Sequence, residues 1–332
     1  MRLAFIVNDV ETEVDEYTTT RLALAAARSG HEVWYVGVGD IDYRPDDHLG
    51  ARAHGATFHD GDDLARFLER VKATEAHPGI DLDQFDAVML RNDSVEDLHE
   101  RPWAANLAVE FGYVLADRGV TVVNEPAGLA RAASKLYLEE FPRDIRPRSL
   151  ISRDRDELVS FVEEIGPTVL KPLYGAKGRN VFMVEDEDEV NLAQIIEALL
   201  EDGYVLAQEW IGDDSGGDLR MFLLEGVPLQ DDGLYAAVRR VPRGADQRAN
   251  ISTGAQPQPA EITEREIEVA RKIAGRLRRD GMFLVGVDMI ADKVIEINVE
   301  SPGGLQSVEH FTGIDFCPAI IDSLQRRVDG SE

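Results

Sequence analysis

Near the end of the chain, Asp288, Glu296 and Asn298 fall inside "GVDMIADKVIEINVESPGG" (286–304), which otherwise reads as two short β-strands joined by a charged turn. With a three-residue loop of Ala291, Asp292 and Lys293, Asp288 comes to lie opposite Glu296. Asn298 then shares the face of Glu296, because strand side chains alternate. Two carboxylates and an amide oxygen on one face repel unless a cation lies between them. A few hard oxygen donors, partly open, suit Mg²⁺, which fills its remaining positions with water and substrate phosphates. A solvent-facing polar stripe on an edge hairpin would carry the same residues, so the spacing alone leaves both readings standing.

A second constellation points to phosphate. In "LKPLYGAKGRNVF" (170–182), Lys171 ends a strand, Gly175 and Gly178 let a backbone approach a ligand closely, and Lys177 and Arg179 add positive charge. Backbone N–H groups of such a turn can cradle an anion. The G-x-x-x-x-G-K-[ST] loop is absent. The chain has six lysines, and three of them (Lys135, Lys171 and Lys177) occupy anion-facing positions of this kind. Farther on, "YVLAQEWIGDD" is an apolar strand emerging at Glu209, a segment type whose backbone can hold a base between apolar walls, with Asp218 beyond it for ribose hydroxyls. A buried strand followed by a polar turn accounts for the same residues. Arg239, Arg240, Arg243 and Arg248 crowd "RRVPRGADQRANISTGA" (239–255), a basic loop suited to closing over an anion.

The elements that must position these groups fall into two patterns. Up to about residue 125, "RLAFIV", "HEVWYVGV", "DAVMLRND" and "VTVVNEP" alternate with helices such as "TTTRLALAAARSG" and "WAANLAVEFGYVLADRG". That alternation predicts a doubly wound parallel sheet, whose ligands sit at the carboxyl ends of the strands, where Asn8, Asp9, Arg91, Asn92 and Asp93 fall. Residues 40–80 are polar and carry weaker signals. From about 126 the order becomes a helix through "LARAASKLYLEEF", strand–helix segments, then strands around the Pro242–Pro259 stretch, which lacks apolar periodicity and reads as a functional loop. The helix "EREIEVARKIAGRLRRDG" precedes the hairpin, and a last helix ends the chain.

Composition bounds the partners. The 332 residues favour two or three units, and no apolar run approaches the roughly 20 residues that span a bilayer. A net charge of −28 repels nucleic acid and anionic membranes and suggests an acidic surface suited to high salt. The single cysteine, Cys317, excludes an internal disulfide, reads as a core residue, and leaves the cytoplasm as the expected setting.

Taken in order, "LRND", "VNEPAGLARAASKLY", "VLKPLYGAKG", "AQEWI", "GDLRMFLLEGVPL", "RRVPRGADQRANISTGA" and the D-x7-E-x-N hairpin resemble the ATP-grasp ligases, specifically the bacterial-type glutathione synthetases. The resemblance covers nearly the whole chain and implies an α/β ATP-grasp fold preceded by a doubly wound domain. Its units would be 1–124, 125–203 with a phosphate loop at 174–179, and 204–332 with a lid at 241–256 and the metal site. It implies ATP phosphates on Lys135, Lys171 and the turn Gly175–Lys177–Gly178. Adenine would lie against Glu209, Trp210 and Ile211, and the ribose on Asp218. Arg220 and Arg240 would face an acyl phosphate, Arg248 and Asn250 would sit in the lid, and Asp288, Glu296 and Asn298 would hold Mg²⁺ or Mn²⁺. Tyr17, Thr18 and Arg91 would meet the donor carboxylate.

The implied reaction joins γ-glutamylcysteine, or a similar γ-glutamyl compound, to glycine or another small amine. Its partners would be small molecules, with a homo-oligomer among the expectations. Two other readings are an ATP-grasp ligase adding amino acids to another acid or a protein tail, and a silent ATP-binding regulator. Two departures stand out: "YGAKG" replaces consecutive glycines, and "SPGGLQSVEH" differs from an arginine-bearing family segment near the acceptor site.

Overall fold

The computed structural model describes residues 1–175, 179–186, 189–212, 217–242 and 255–330, apart from the His99 side chain. Lys177, Gly178, Arg248 and Asn250 lie outside the described residues, as do most of the expected lid and the middle of the expected phosphate turn.

The first sheet is built on Arg2–Val7, whose apolar run is buried from Leu3 onward. Glu32–Gly37 and Ala87–Leu90 flank it in parallel, and Thr121–Val123 extends the parallel set. The expected doubly wound core is therefore present. The polar stretch after residue 40 adds what its sequence obscured: Ile41–Tyr43, Leu49–Gly55 and His77–Asp81 pair antiparallel as an extension of the same sheet, with helix Leu64–Ala73 beside it. Its outer strands, Ile41–Tyr43 and His77–Asp81, are short and carry Asp42, His77 and Asp81, residues that blunt an edge rather than advertise a strand. Helix Thr18–Arg28 begins after Tyr17, which makes no side-chain cap bond, although three threonines open its first turn.

The expected helix over 129–141 breaks in two. An α-helix, Pro126–Arg131, opens with proline in its first turn, and a 3-10 helix, Lys135–Glu140, follows. Ser134 caps the second piece by accepting from the Leu136 N–H, the usual competition of a serine hydroxyl with helix continuation.

A four-stranded antiparallel sheet comes next, in the order Phe182–Val184, Thr168–Pro172, Val205–Glu209, Ser149–Ser152. Helices Arg155–Ile165 and Leu192–Glu201 cover it, and Leu158, Val162, Leu170, Ile196 and Val205 form its own apolar core. The third sheet runs Gln256–Pro259, Ala237–Val241, Asp218–Leu224, Leu284–Ile290, Lys293–Asn298. Helix Glu264–Arg279, held by a Thr263/Glu266 capping box, packs Ile273 and Leu277 against it. Helices Leu305–Thr312 and Cys317–Val328 cover its other side, where Cys317 is fully buried as expected.

Unlike the four-stranded sheet, the third sheet shares its cores with the first. Ala4, Val88 and Val122 belong to one cluster with Met221, Val285 and Val287, and Leu3 and Phe5 belong to another with Phe222, Leu284 and Ile320. Asn124 crosses this junction: its amide donates to the carbonyls of Leu284 and Val299 and accepts from the N–H groups of Phe283 and Leu284.

Candidate active site

The hairpin brings Asp288 and Glu296 opposite each other, as the spacing requires, but by another route. The turn is two residues long, with Ala291 at φ 53 and Ile290 paired to Lys293, and a bulge beside Asp288 restores the register. Asn298 donates from Nδ2 to Asp288 Oδ2 at 3.2 Å and to the Gly286 carbonyl, which turns its Oδ1 the other way.

Lys135, Lys171, Gly175, Arg220, Glu296 and Asn298 border one cleft of about 170 Å³. Lys171 is 9% exposed and donates to Gln208 Oε1 at 3.0 Å across neighbouring strands. Burial pulls its ammonium down to about 8 in spite of the Glu296 charge. Lys135 is likewise lowered by burial, with Glu296 opposing, and donates to the Gly175 carbonyl at 2.6 Å. Its backbone N–H bonds Leu173, tying the 3-10 helix to the loop that begins the expected phosphate turn. Two desolvated ammonium groups in one cleft, each disfavoured in its charged form, make an arrangement that an anion would relieve.

Asp288 departs from the expectation of an open metal donor. Arg220 lies directly across the strand register and donates to both of its oxygens at 2.7 Å, and Arg240 adds a bond at 2.8 Å. Burial pushes the Asp288 carboxyl up, but the two guanidiniums outweigh it and bring it to about 2. Asp218, paired in register with Arg240, takes that guanidinium with both oxygens and is 3% exposed. Burial and the Asp288 charge push Asp218 up to about 6. The ribose role expected of Asp218 has no support in this geometry, since its carboxylate points into a buried four-charge cluster. Arg240, expected at the edge of a lid, is a strand residue 4% exposed.

These observations test the donor set for a divalent ion. Glu296 is half-buried, faces Lys135 and Lys171, and has no hydrogen-bond or ion-pair partner among the described residues. Glu296 and Asn298 Oδ1 fit a hard cation beside nucleotide phosphates. Asp288 fits only if one arginine withdraws, so it acts here as the anchor that sets Asn298 and Arg220. Elsewhere among the described residues, His48, Asp81 and Asp83 cluster, but Arg118 already donates to Asp83 at 2.7 Å.

Glu209, Trp210 and Ile211 are half-buried at the end of Val205–Glu209, the strand that also carries Gln208. Glu209 accepts from the Arg148 N–H at 3.1 Å. Of the expected donor contacts, Tyr17 is 46% exposed while Thr18 and Arg91 are buried. Arg91 donates to Thr19 rather than Thr18, at 3.2 Å, and to the Pro302 carbonyl. Burial draws its guanidinium down to about 10, against the pull of Glu13, whose own carboxyl burial raises to about 7.

Sequence reasoning missed Gln208, which seats Lys171, and Glu300, which lines the same cleft two residues past Asn298. The i, i+2 alternation already used for Glu296 and Asn298 would have flagged Glu300.

An antiparallel four-stranded sheet and a larger sheet, meeting at a lysine-lined cleft, define an ATP-grasp ligase. D-cycloserine synthetase DcsG has the same fold, with a TM-score of 0.64 and 16% identity over 98% of this chain and 99% of that one. The ATP-grasp ligase PsnB, complexed with minimal precursor, gives 0.61 and 19% over 98% of each. The family models for the prokaryotic glutathione synthetase N-terminal domain and ATP-grasp domain match residues 1–130 and 134–313, so the chain belongs to the prokaryotic glutathione synthetase family. Glutathione synthetase of Gloeobacter violaceus is 33% identical over 98% of this chain and 96% of its own length. That of Brucella melitensis is 32% identical over 93% of both.

Proposed function

We propose that the protein activates the carboxylate of γ-glutamylcysteine, or a similar γ-glutamyl compound, with ATP and joins it to glycine or another small amine. The observation that carries this reading is the meeting of Lys135, Lys171, Glu296 and Asn298 at one cleft. A carboxylate resists displacement by an amine because its oxygen is a poor leaving group. In the first step the donor carboxylate oxygen attacks the γ-phosphorus and ADP departs. In the second the amine nitrogen attacks the acyl carbon, phosphate departs, and the amine loses a proton.

Phosphoryl transfer of this kind is catalysed mainly by positioning and charge neutralisation. Lys135 and Lys171 receive the phosphates, and their desolvation makes each contact stronger than it would be in water. Arg220, oriented by Asp288, faces the reacting acyl group, and Arg240 supports it from beneath through the same carboxylate. Gly175, with Lys177 and Gly178, encloses the phosphates; Glu209, Trp210 and Ile211 hold adenine; Arg248 and Asn250 belong to the covering loop. Arg91 and the Tyr17–Thr18 start of its neighbouring helix serve the donor end. Glu296 and Asn298 would hold Mg²⁺ or Mn²⁺, which supplies further charge neutralisation on the phosphates. We divide the chain at 1–124, 125–203 and 204–332, in a cytoplasmic enzyme whose partners are small molecules.

The test is ADP release from the purified protein with ATP and Mg²⁺, γ-glutamylcysteine, and a panel of small amines. ADP and a product of the summed mass should form only when donor and amine are both present. ADP release indifferent to the γ-glutamyl donor would refute the reading.

A further inference from the structure

A second hollow, of about 740 Å³, has ten lining residues, and half of them are basic. The share across the chain is 35 of 332 at a net charge of −28, so composition alone does not gather cations here. Arg276 and Arg279 belong to the last turn of helix Glu264–Arg279, where cations complement the terminal carbonyls, and Lys272 stands one turn earlier. That preference does not extend to Arg143 and Arg146, which come from the segment after the 3-10 helix Lys135–Glu140. Two separate segments thus border one space with five cations.

Three of the five are engaged by the protein itself. Arg146 bonds Glu139 and donates to the Phe141 carbonyl at 3.1 Å, and Lys272 donates to Asp144 at 2.5 Å. Arg276 bonds Glu140 and donates to Asp280 at 2.5 Å. Arg143 and Arg279 have no hydrogen-bond or ion-pair partner among the described residues. Glu140 is exposed, and an exposed ion pair is readily exchanged for a better one.

The floor of the hollow carries a further sign. Gly275 lies inside helix Glu264–Arg279, where glycine is less stable than alanine. Gly112 and Gly128 also sit in helices, and there a methyl group would run into Leu90 or the Asp280 carbonyl. At Gly275 a methyl group would meet nothing within 4 Å. Packing gives no reason for this glycine, whereas a ligand resting against the helix does.

We propose that this hollow binds a compact, multivalent phosphate anion, with Arg143 and Arg279 as its open contacts and Glu140 as the group it displaces from Arg276. Guanidiniums stay charged across the physiological pH range, and their forks match phosphate oxygens. The hollow and the lysine-lined cleft share no lining residue. The helix Lys135–Glu140, about 10 Å long, joins them, with Lys135 at the cleft and Glu139 and Glu140 at the hollow. The assignment is therefore independent of what the cleft makes.

The test is calorimetric titration of the purified protein with inorganic pyrophosphate, without metal, beside Arg143→Gln/Arg279→Gln, Glu140→Gln and Lys171→Met. Thermal melting checks that each variant folds. Binding should survive in Lys171→Met, whose change lies in the cleft, and weaken at least about tenfold in the double arginine variant. Glu140→Gln, which removes the internal competitor, should tighten it about threefold. A parallel titration with glycerol 3-phosphate shows whether a free or an esterified phosphate is the better occupant. Binding lost in Lys171→Met, binding unchanged in the double variant, or no binding of either probe to the wild type would each overturn the assignment. Unchanged affinity in Glu140→Gln would overturn the displacement of that carboxylate.

Discussion

Replacing Lys171 with methionine is expected to stabilise the free protein while weakening its hold on ATP. Burial lowers this ammonium from the ordinary 10.5 to about 8. That gap of about 2.5 pH units corresponds, at ~1.36 kcal/mol per unit, to about 3 kcal/mol of strain at neutral pH. Methionine is close in length, carries no charge and removes the strain. It also deprives Gln208 Oε1 of its donor, a loss of about 1–2 kcal/mol. The net expectation is a gain of about 1–2 kcal/mol in urea unfolding without nucleotide at pH 7. Because the folded value lies below the unfolded one, the unfolded chain binds more protons between about pH 8 and 10.5, and wild-type stability rises across that window. The advantage of methionine is therefore fully present below about pH 8 and fades toward 10.5. In the same variant, titration with Mg²⁺-ATP should show affinity reduced about 30-fold or more, the worth of one charge-assisted bond of about 2 kcal/mol. A variant less stable than wild type at pH 7, or one with unchanged ATP affinity, would refute the claim that this lysine is strained for the sake of its ligand.

Glu296→Gln should reduce ligase turnover by about a hundredfold or more, the scale of a lost electrostatic contact in the transition state. Its melting temperature should stay near wild type, since no described residue pairs with this carboxylate; wild-type turnover would end the metal assignment. Arg240→Met leaves Asp218 and Asp288 buried with one guanidinium between them, and should cost about 3–5 kcal/mol in unfolding free energy. Adding Asp218→Asn restores a neutral pair and should recover about 2 kcal/mol or more; strictly additive losses would show that the four charges are not coupled.

The parts legible in the sequence were those set by local spacing. Alternating strands and helices announced the parallel sheet, strand periodicity set Glu296 and Asn298 on one face, and the scarcity of lysine singled out Lys135 and Lys171. What stayed hidden depends on which strands become neighbours. Arg220 meets Asp288 across 68 residues and Ser94 meets Glu300 across 206. No window of sequence contains either pair, so sequence alone carried no sign that Asp288 and Asp218 form the acidic half of a buried ionic cluster. The break at Ser134 was local and readable, because a serine before Lys135 offers a cap as readily as a helix position. Apolar periodicity on both sides hid it.

The sharing of apolar cores divides the molecule unequally. Prising the first sheet from the hairpin sheet would expose Leu3, Phe5, Val285 and Phe222 to water and strip the Asn124 amide of four hydrogen bonds. Tilting the four-stranded sheet leaves its private core of Leu158, Leu170 and Ile196 intact. Of the two displacements, the second exposes far less apolar surface. The sheet that carries Glu296, Asn298 and Glu300 thus has the most to lose by moving, and the sheet that carries Lys171 has the least.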